Sequence, residues 1–199
     1  MKKKFLFAII ICLPIYINFS FQLKENSELS TSKQKDEIIP WKADATLTWS
    51  DFKGKPDKSS PYKAMTFSSI SSNLLVFSEK ELKIEISCHF IKNKSWKKAE
   101  TDELLKHEQV HFDITELAAR KMRQRLSLLK LKDLNQNNIK AKLDKIFNTS
   151  TKEQQQMNKK YDSETDHSIN TKEQKEWEMK IENELEKLNE FSAIIVSIK

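Results

Sequence analysis

Residues 103–126 read E-L-L-K-H-E-Q-V-H-F-D-I-T-E-L-A-A-R-K-M-R-Q-R-L, with neither Gly nor Pro. Leu, Ala, Lys, Arg, Gln and Glu give up little side-chain freedom in a helix, so this composition predicts one. Leu104, His107, His111, Thr115, Ala118 and Met122 recur at three- and four-residue steps and therefore share a face. Two imidazoles one turn apart can grip one ion from the same side. Glu108 stands between them, which gives His-Glu-x-x-His over 107–111. A helical zinc site needs these parts: two neutral His nitrogens, an open position for water, and a carboxylate to take the water's proton. The five residues alone recur by chance in many chains, and the plainer reading is a surface helix with two solvated His. The rest of the chain decides between the two.

The elements before this helix read as strands. Lys80 to Ile91 alternates without a miss, placing Leu82, Ile84, Ile86, Cys88 and Phe90 on one face. Lys83, Glu85, Ser87 and His89 occupy the other face, which meets solvent or a cleft. Ala64 to Phe77 is Ser-, Phe- and Ile-rich and extended, so residues 78–81 close a hairpin. Ala45 to Ser50 reads as a further short strand. Lys53 to Pro61 holds Gly54, Pro56 and Pro61 and is a loop. Cys88 points into the core, where a thiol is inert, and His89 is a strand surface residue.

After Pro61 the chain has neither Gly nor Pro, and helical periods take over. Ile139, Leu143, Ile146 and Phe147 mark a second amphipathic helix, and a third is expected to start after Thr151. Asn170 or Thr171 caps the last helix, with Thr171 and Gln174 at capping-box spacing. Its buried stripe is Trp177, Ile181, Leu185 and Leu188, and Phe191 to Ile198 is an apolar tail that must pack somewhere. Strands first and helices second predict an α+β domain: a small antiparallel sheet followed by a helical, zinc-peptidase-like half around the His-Glu-x-x-His helix.

Residues 1–20 read as an address. Lys2, Lys3 and Lys4 precede an apolar run from Phe5 to Ile17, too short for a membrane span of about 20 residues and suited to a secretory signal. Ser20 is the best small residue for cleavage, and an uncleaved N-terminal anchor is the alternative. Residues 21–37 are polar and charged and read as a disordered linker, so the domain is expected over 38–199. Without residues 1–20 the formal net charge falls from +6 to +3, with Lys and Glu interspersed, and no nucleic-acid footprint follows. Cys88 is then the one cysteine left, so no internal disulfide can form.

A zinc peptidase needs a third protein ligand. The pattern with a Gly and a third His soon after the pair is excluded, because Ile114 and Leu117 stand at those positions. No Glu lies between Leu117 and Thr151 to serve from a following helix. Asp113 and Glu116 share the helix with the pair and suit a supporting role better. That leaves Tyr161 to Ser168, Y-D-S-E-T-D-H-S, with the one His after the helix. His167 is the candidate third ligand. Asp162, Glu164 and Asp166 are candidates to orient it or to bind metal themselves.

H-E-Q-x-H-F-D-I-T-E-L-x-A-R-K followed by Y-D-x-x-T-x-H-S resembles the bacterial exported family filed as domain of unknown function 922, predicted secreted zinc-dependent proteases. The similarity includes L-T-W-S-D-F at Leu47 to Phe52, Ser95-Trp96 and the helix of Trp177, and it spans Pro40 to Leu188. The resemblance implies His107, His111 and His167 as ligands of Zn2+ and Glu108 as general base. Tyr161 is the candidate donor to the tetrahedral oxyanion, with a place in the core as its competing reading. The expected function is therefore a secreted or periplasmic zinc metallopeptidase acting on a peptide or protein, touching a membrane only through an uncleaved N-terminal segment. Two alternatives stand beside it: a non-catalytic zinc-binding or scaffold protein of the cell envelope, and a metal-dependent amidase acting on cell-wall peptide.

Overall fold

In the computed structural model, residues 38–199 are described; the leader expected over 1–20 and the linker over 21–37 lie outside them. The strands are β1 (Ile38–Pro40), β2 (Ala64–Met65), β3 (Ser68–Phe77), β4 (Leu82–Ile91), β5 (Trp96–Lys97) and β6 (Ile195–Ile198). The helices are α1 (Asp102–Ser127), α2 (Ile139–Thr165) and α3 (Thr171–Lys187). Small antiparallel sheets and three helices among the described residues make this an α+β architecture, as the order of elements predicts.

β4 is the spine of the main sheet. β3 pairs along one edge from Ser68 opposite Phe90 to Phe77 opposite Leu82. The Ser78 N–H donates to Glu81 O at 2.9 Å and closes the turn between them. The other edge is shared: β1 takes the end near Ile91 and β6 the end near Leu82. β2 and β5 form a separate two-stranded ribbon. The alternation of β4 does what its period demands, burying Leu82, Ile84, Ile86, Cys88 and Phe90. Burial pushes the Cys88 thiol well above its ordinary pKa, which leaves it unreactive.

α1 begins at Thr101, whose hydroxyl accepts from Leu104 N at 3.2 Å, with Asp102 and Glu103 in the first turn where the helix dipole favours acids. It then serves two cores at once. Phe112, Ala119, Met122 and Leu126 pack with the sheet, while Val110, Ile114 and Leu117 pack with Tyr161, Trp177, Ile181 and Leu185 of α2 and α3.

Three sequence expectations change, and one left open, the place of the apolar tail, is filled. Ala45–Ser50 forms no strand; Leu47 N donates instead to Gln109 Oε1 at 2.8 Å, and a 3-10 turn follows at Trp49–Asp51. The helix expected after Thr151 is the second half of α2, which runs unbroken from Ile139 to Thr165. The apolar tail finds its place as β6, with Val196 and Ile198 buried against β4. The Thr171–Gln174 capping box does not form, because the buried Gln174 amide donates to Glu103 O on α1 at 2.9 Å. Asn170 alone caps α3, accepting from Glu173 N at 3.3 Å. Asn170→Ala is expected to cost about 1 kcal/mol of stability, read as a lowered urea midpoint at unchanged slope; an unchanged midpoint would discount the cap.

Gly54 answers a packing need. Its N–H donates to Ser95 O at 2.7 Å, and a Cβ there would come within 2.8 Å of that same oxygen. The loop before β2 is thereby pinned against the turn after β4.

Candidate metal centre

α1 and the C-terminal turns of α2 bring the candidate site together. His107 and His111 lie one turn apart on α1, and their Nε2 atoms are 3.2 Å from each other. Asp162, on the last full turn of α2, places Oδ1 at 3.2 Å from His107 Nε2 and 3.0 Å from His111 Nε2. The chain then turns through three consecutive left-handed residues, Asp166, His167 and Ser168, with φ of 47°, 51° and 79°. Each costs about 1–2 kcal/mol without glycine, and such strain concentrates at functional positions. The turn is held by the N–H of His167 donating to Asp162 O at 3.1 Å and that of Asn170 to Thr165 O at 2.8 Å. It delivers His167 Nδ1 to within 3.6 Å of Asp162 Oδ1. His107, Asp162 and His167 offer ligand atoms that all lie within 4.8 Å of one another.

The walls of the site are aromatic. The Tyr161 ring stacks on His107 at 4.6 Å between centroids and meets His111 edge-on at 5.1 Å. Trp177 of α3 backs Tyr161 at 5.5 Å. Tyr62, from the loop before β2, lies against the His167 ring at 4.6 Å. Burial is graded across the cluster: the side chains of His107 and His111 are 3% and 15% exposed, those of Asp162 and His167 31% and 43%. The site therefore opens to solvent on its Asp162–His167 side. Neither Trp177 nor the β6 tail seals it.

Ring orientation is set from α2. Asn158 Oδ1 stands 2.9 Å from His111 Nδ1, so an Nδ1–H donated to it fixes the ring with Nε2 facing the site. One turn earlier the Gln154 amide donates to Thr115 Oγ1 at 2.6 Å. Gln154, Asn158 and Asp162 thus form a row at four-residue spacing against α1. Asn158 is a site residue that the sequence reading missed, and this polar period of four is the signal that could have found it.

Electrostatics follow from the crowding. Burial drives the His107 pKa down, more than its contact with Asp162 raises it. Burial would do the same to His111, but the Asp162 carboxylate and the charge of Glu108 carry it up to about 9. Asp162 is itself pulled well below the usual carboxylate range, because hydrogen bonds from both rings outweigh the effect of its burial. Glu108 is 3% exposed, and its Oε2 has no hydrogen-bond partner. Its backbone carbonyl accepts from Thr66 Oγ1 at 3.1 Å, which ties the end of β2 to the helix beside the site.

Two expected roles fall elsewhere, and His89 stays on the strand where it was expected. Tyr161 is fully buried and its hydroxyl donates to His107 O at 3.4 Å, so it walls the imidazoles and is not presented to a substrate oxyanion. Asp113 accepts from Trp41 Nε1 at 2.8 Å and Gln109 Nε2 at 2.9 Å, and Glu116 pairs with Arg120 and Arg123; neither supports the His pair. His89 meets Ser71 Oγ at 3.4 Å on the sheet, away from the cluster. A groove of about 1010 Å³ lined by Trp41, Leu105, Gln109, Asp113 and Glu182 runs along the side of α1 opposite the imidazoles.

Borderline nitrogen donors with a carboxylate at hand suit zinc among the first-row divalent ions. Donors about 2.0–2.1 Å from one ion at tetrahedral angles stand about 3.3–3.4 Å apart. The separation of 3.2 Å between His107 and His111 fits that requirement. The buried Glu108 oxygen has no hydrogen-bond partner and is a polar group left for something other than the fold.

Residues 92–168 match the model of a family described as bacterial protein of unknown function (DUF922). The matched stretch contains His107, Glu108, His111, Asp162 and His167, and it supports the family that the residues resemble. No curated protein and no solved structure matches the chain.

Proposed function

We propose that this chain is a zinc-dependent metallopeptidase that hydrolyses peptide bonds. The observation that carries the reading is the gathering of three imidazoles, from α1 and the turn after α2, around Asp162 Oδ1, with a buried carboxylate that has a free oxygen next to His107 in the chain. His107, His111 and His167 would hold the ion. When bound, zinc supplies Lewis-acid chemistry, polarising a carbonyl and lowering the pKa of a water toward about 7.

The chain's own residues do the remainder. Glu108 takes the proton of the attacking water and returns it to the leaving amine. Asn158 fixes the His111 tautomer, and Tyr161 keeps solvent from the back of both α1 rings. The peptide would enter where Asp162 and His167 face solvent, past Tyr62.

Purified protein should carry one zinc per chain and cleave members of a peptide library, with cleavage lost on chelation and restored by zinc. Protein that binds no zinc would sink the reading. Zinc without turnover would favour the envelope scaffold, and cleavage confined to cell-wall peptide would favour the amidase.

No helix among the described residues is long and apolar enough to cross a membrane. The basic and apolar start of the chain supports export as part of the same proposal. Residues 1–35 fused to a reporter active only outside the cytoplasm should give signal; a cytoplasmic readout would refute it.

A further inference from the structure

Which ring atoms Asp162 meets decides what Asp162 does. A carboxylate that merely orients a metal-binding histidine bonds the nitrogen turned away from the ion. At His111 that nitrogen is Nδ1, and Asn158 already holds it at 2.9 Å. Asp162 Oδ1 instead faces the other nitrogen, His111 Nε2, at 3.0 Å, and His107 Nε2 at 3.2 Å. The third imidazole presents Nδ1 to the same oxygen at 3.6 Å.

The spacing agrees with the choice of atoms. Corners of a tetrahedron around one zinc stand about 3.3–3.4 Å apart. The His107–His111 separation of 3.2 Å and the three distances to Asp162 of 3.2, 3.0 and 3.6 Å scatter around that value. Asp162 Oδ1 therefore stands at the distance of a neighbouring corner from all three ring nitrogens. An orienting carboxylate would lie outside the tetrahedron.

We propose that Asp162 is a metal ligand in its own right, the fourth protein donor beside His107, His111 and His167. The inference rests on the zinc reading above and adds a mode of regulation to it. Catalytic zinc sites use three protein ligands and an open position, whereas sites closed by four protein ligands are structural. A chain that supplies four donors holds its ion saturated at rest. Water or substrate then gains a position only when one donor withdraws. Asp162 and His167 lie on the open side of the cluster at 31% and 43% side-chain exposure, whereas His107 is locked at 3%; of the two, Asp162 is the donor able to withdraw, because a carboxylate has two oxygens and can turn one away by rotating a short side chain. The resting site is latent, and an arriving peptide that displaces the carboxylate opens it.

The test uses the full chain and reads metal binding, with no assay of turnover. Zinc affinity is measured by competition with a chromogenic chelator for wild type, Asn158→Ala and Asp162→Ala. The visible spectrum of each cobalt-saturated protein is then recorded with and without azide. Loss of Asn158, a partner of a ligand, should weaken zinc by about 10–100-fold. Loss of Asp162 should weaken it by more than that. Azide should change the cobalt spectrum of Asp162→Ala and leave wild type unchanged. Asp162→Asn, which keeps the shape and one neutral oxygen, should fall between and covers the case in which the alanine variant does not fold. Zinc binding by Asp162→Ala and Asp162→Asn within tenfold of wild type would overturn the inference, as would azide acting equally on all three. Wild type that binds no zinc defeats the metallopeptidase reading itself; zinc bound independently of Asp162 defeats only the fourth ligand.

Discussion

Glu108→Gln is expected to lower the rate of peptide hydrolysis by about 10²–10⁴-fold while zinc content stays at one per chain. Gln keeps the size of the side chain and removes only its capacity to accept a proton. The imidazoles are untouched, because no hydrogen bond links the Glu108 carboxylate to either ring; its charge reaches them through space. The fold should not suffer either. Glu108 Oε2 is buried without a partner, so the native state already bears the cost of desolvating it. The thermal midpoint of the variant should equal or exceed that of wild type, which separates a chemical effect from misfolding. Undiminished hydrolysis would remove Glu108 from the mechanism. Loss of zinc in a folded variant would make it a ligand.

The sequence made most of the sheet and one face of α1 legible, because hydrophobic period is the signal and there it is clean. β4 alternates over ten residues and buries its even-numbered face throughout. α2 was harder for a physical reason. Its second half is poor in apolar residues, yet it packs against α1 through Gln154 and Asn158, which bond Thr115 and His111. A helix whose inward face is polar has no hydrophobic period to read. Ala45–Ser50 failed in the opposite direction, since it has strand composition but its backbone is satisfied by the side chain of Gln109, sixty-two residues away.

The site shows the same division. His107, Glu108 and His111 announce themselves by helical spacing, and His167 by elimination. The place of Asp162 among the ring nitrogens depends on the register of α2 against α1, which no local pattern encodes. Tyr161 carried two readings, oxyanion donor and core residue, and its burial favours the second. A tyrosine beside a candidate ligand suggests an oxyanion donor, but an aromatic one turn inside a helix end is equally a core residue. Here its ring packs on both imidazoles and on Trp177.

Glu116→Ala is expected to destabilise the protein by about 3–5 kcal/mol, the largest loss we assign to one side chain. The helix face that a simple amphipathic reading leaves to solvent is in fact covered, and Glu116, Arg120 and Arg123 are 4%, 4% and 1% exposed. One carboxylate oxygen, Glu116 Oε1, accepts from Arg120 Nε at 3.0 Å and from Arg123 Nη2. The two guanidinium groups then reach outward from α1. Arg120 Nη1 donates to Leu185 O on α3 at 2.6 Å, and Arg123 Nη1 to Ile86 O on β4 at 3.0 Å. Trp41 covers Arg120 at 5.2 Å.

Removing Glu116 leaves two buried cations facing each other. A guanidinium keeps its charge inside a protein, so the repulsion is not relieved. Against a total stability of about 5–15 kcal/mol this is a large fraction. At about 2–4 °C per kcal/mol for a chain of this size, the thermal midpoint should fall by roughly 6–20 °C. The Arg125–Glu153 pair supplies the contrast: its bonds are short, at 2.7 Å, but its side chains are 31% and 39% exposed. Glu153→Ala should cost no more than about 1 kcal/mol. Glu116→Gln keeps an acceptor without the charge and should lie between. Equal losses for Glu116→Ala and Glu153→Ala would show that the buried triad does not tie α1 to the sheet and to α3. Folded Glu116→Ala should still bind zinc as wild type does, because Glu116 touches none of the imidazoles.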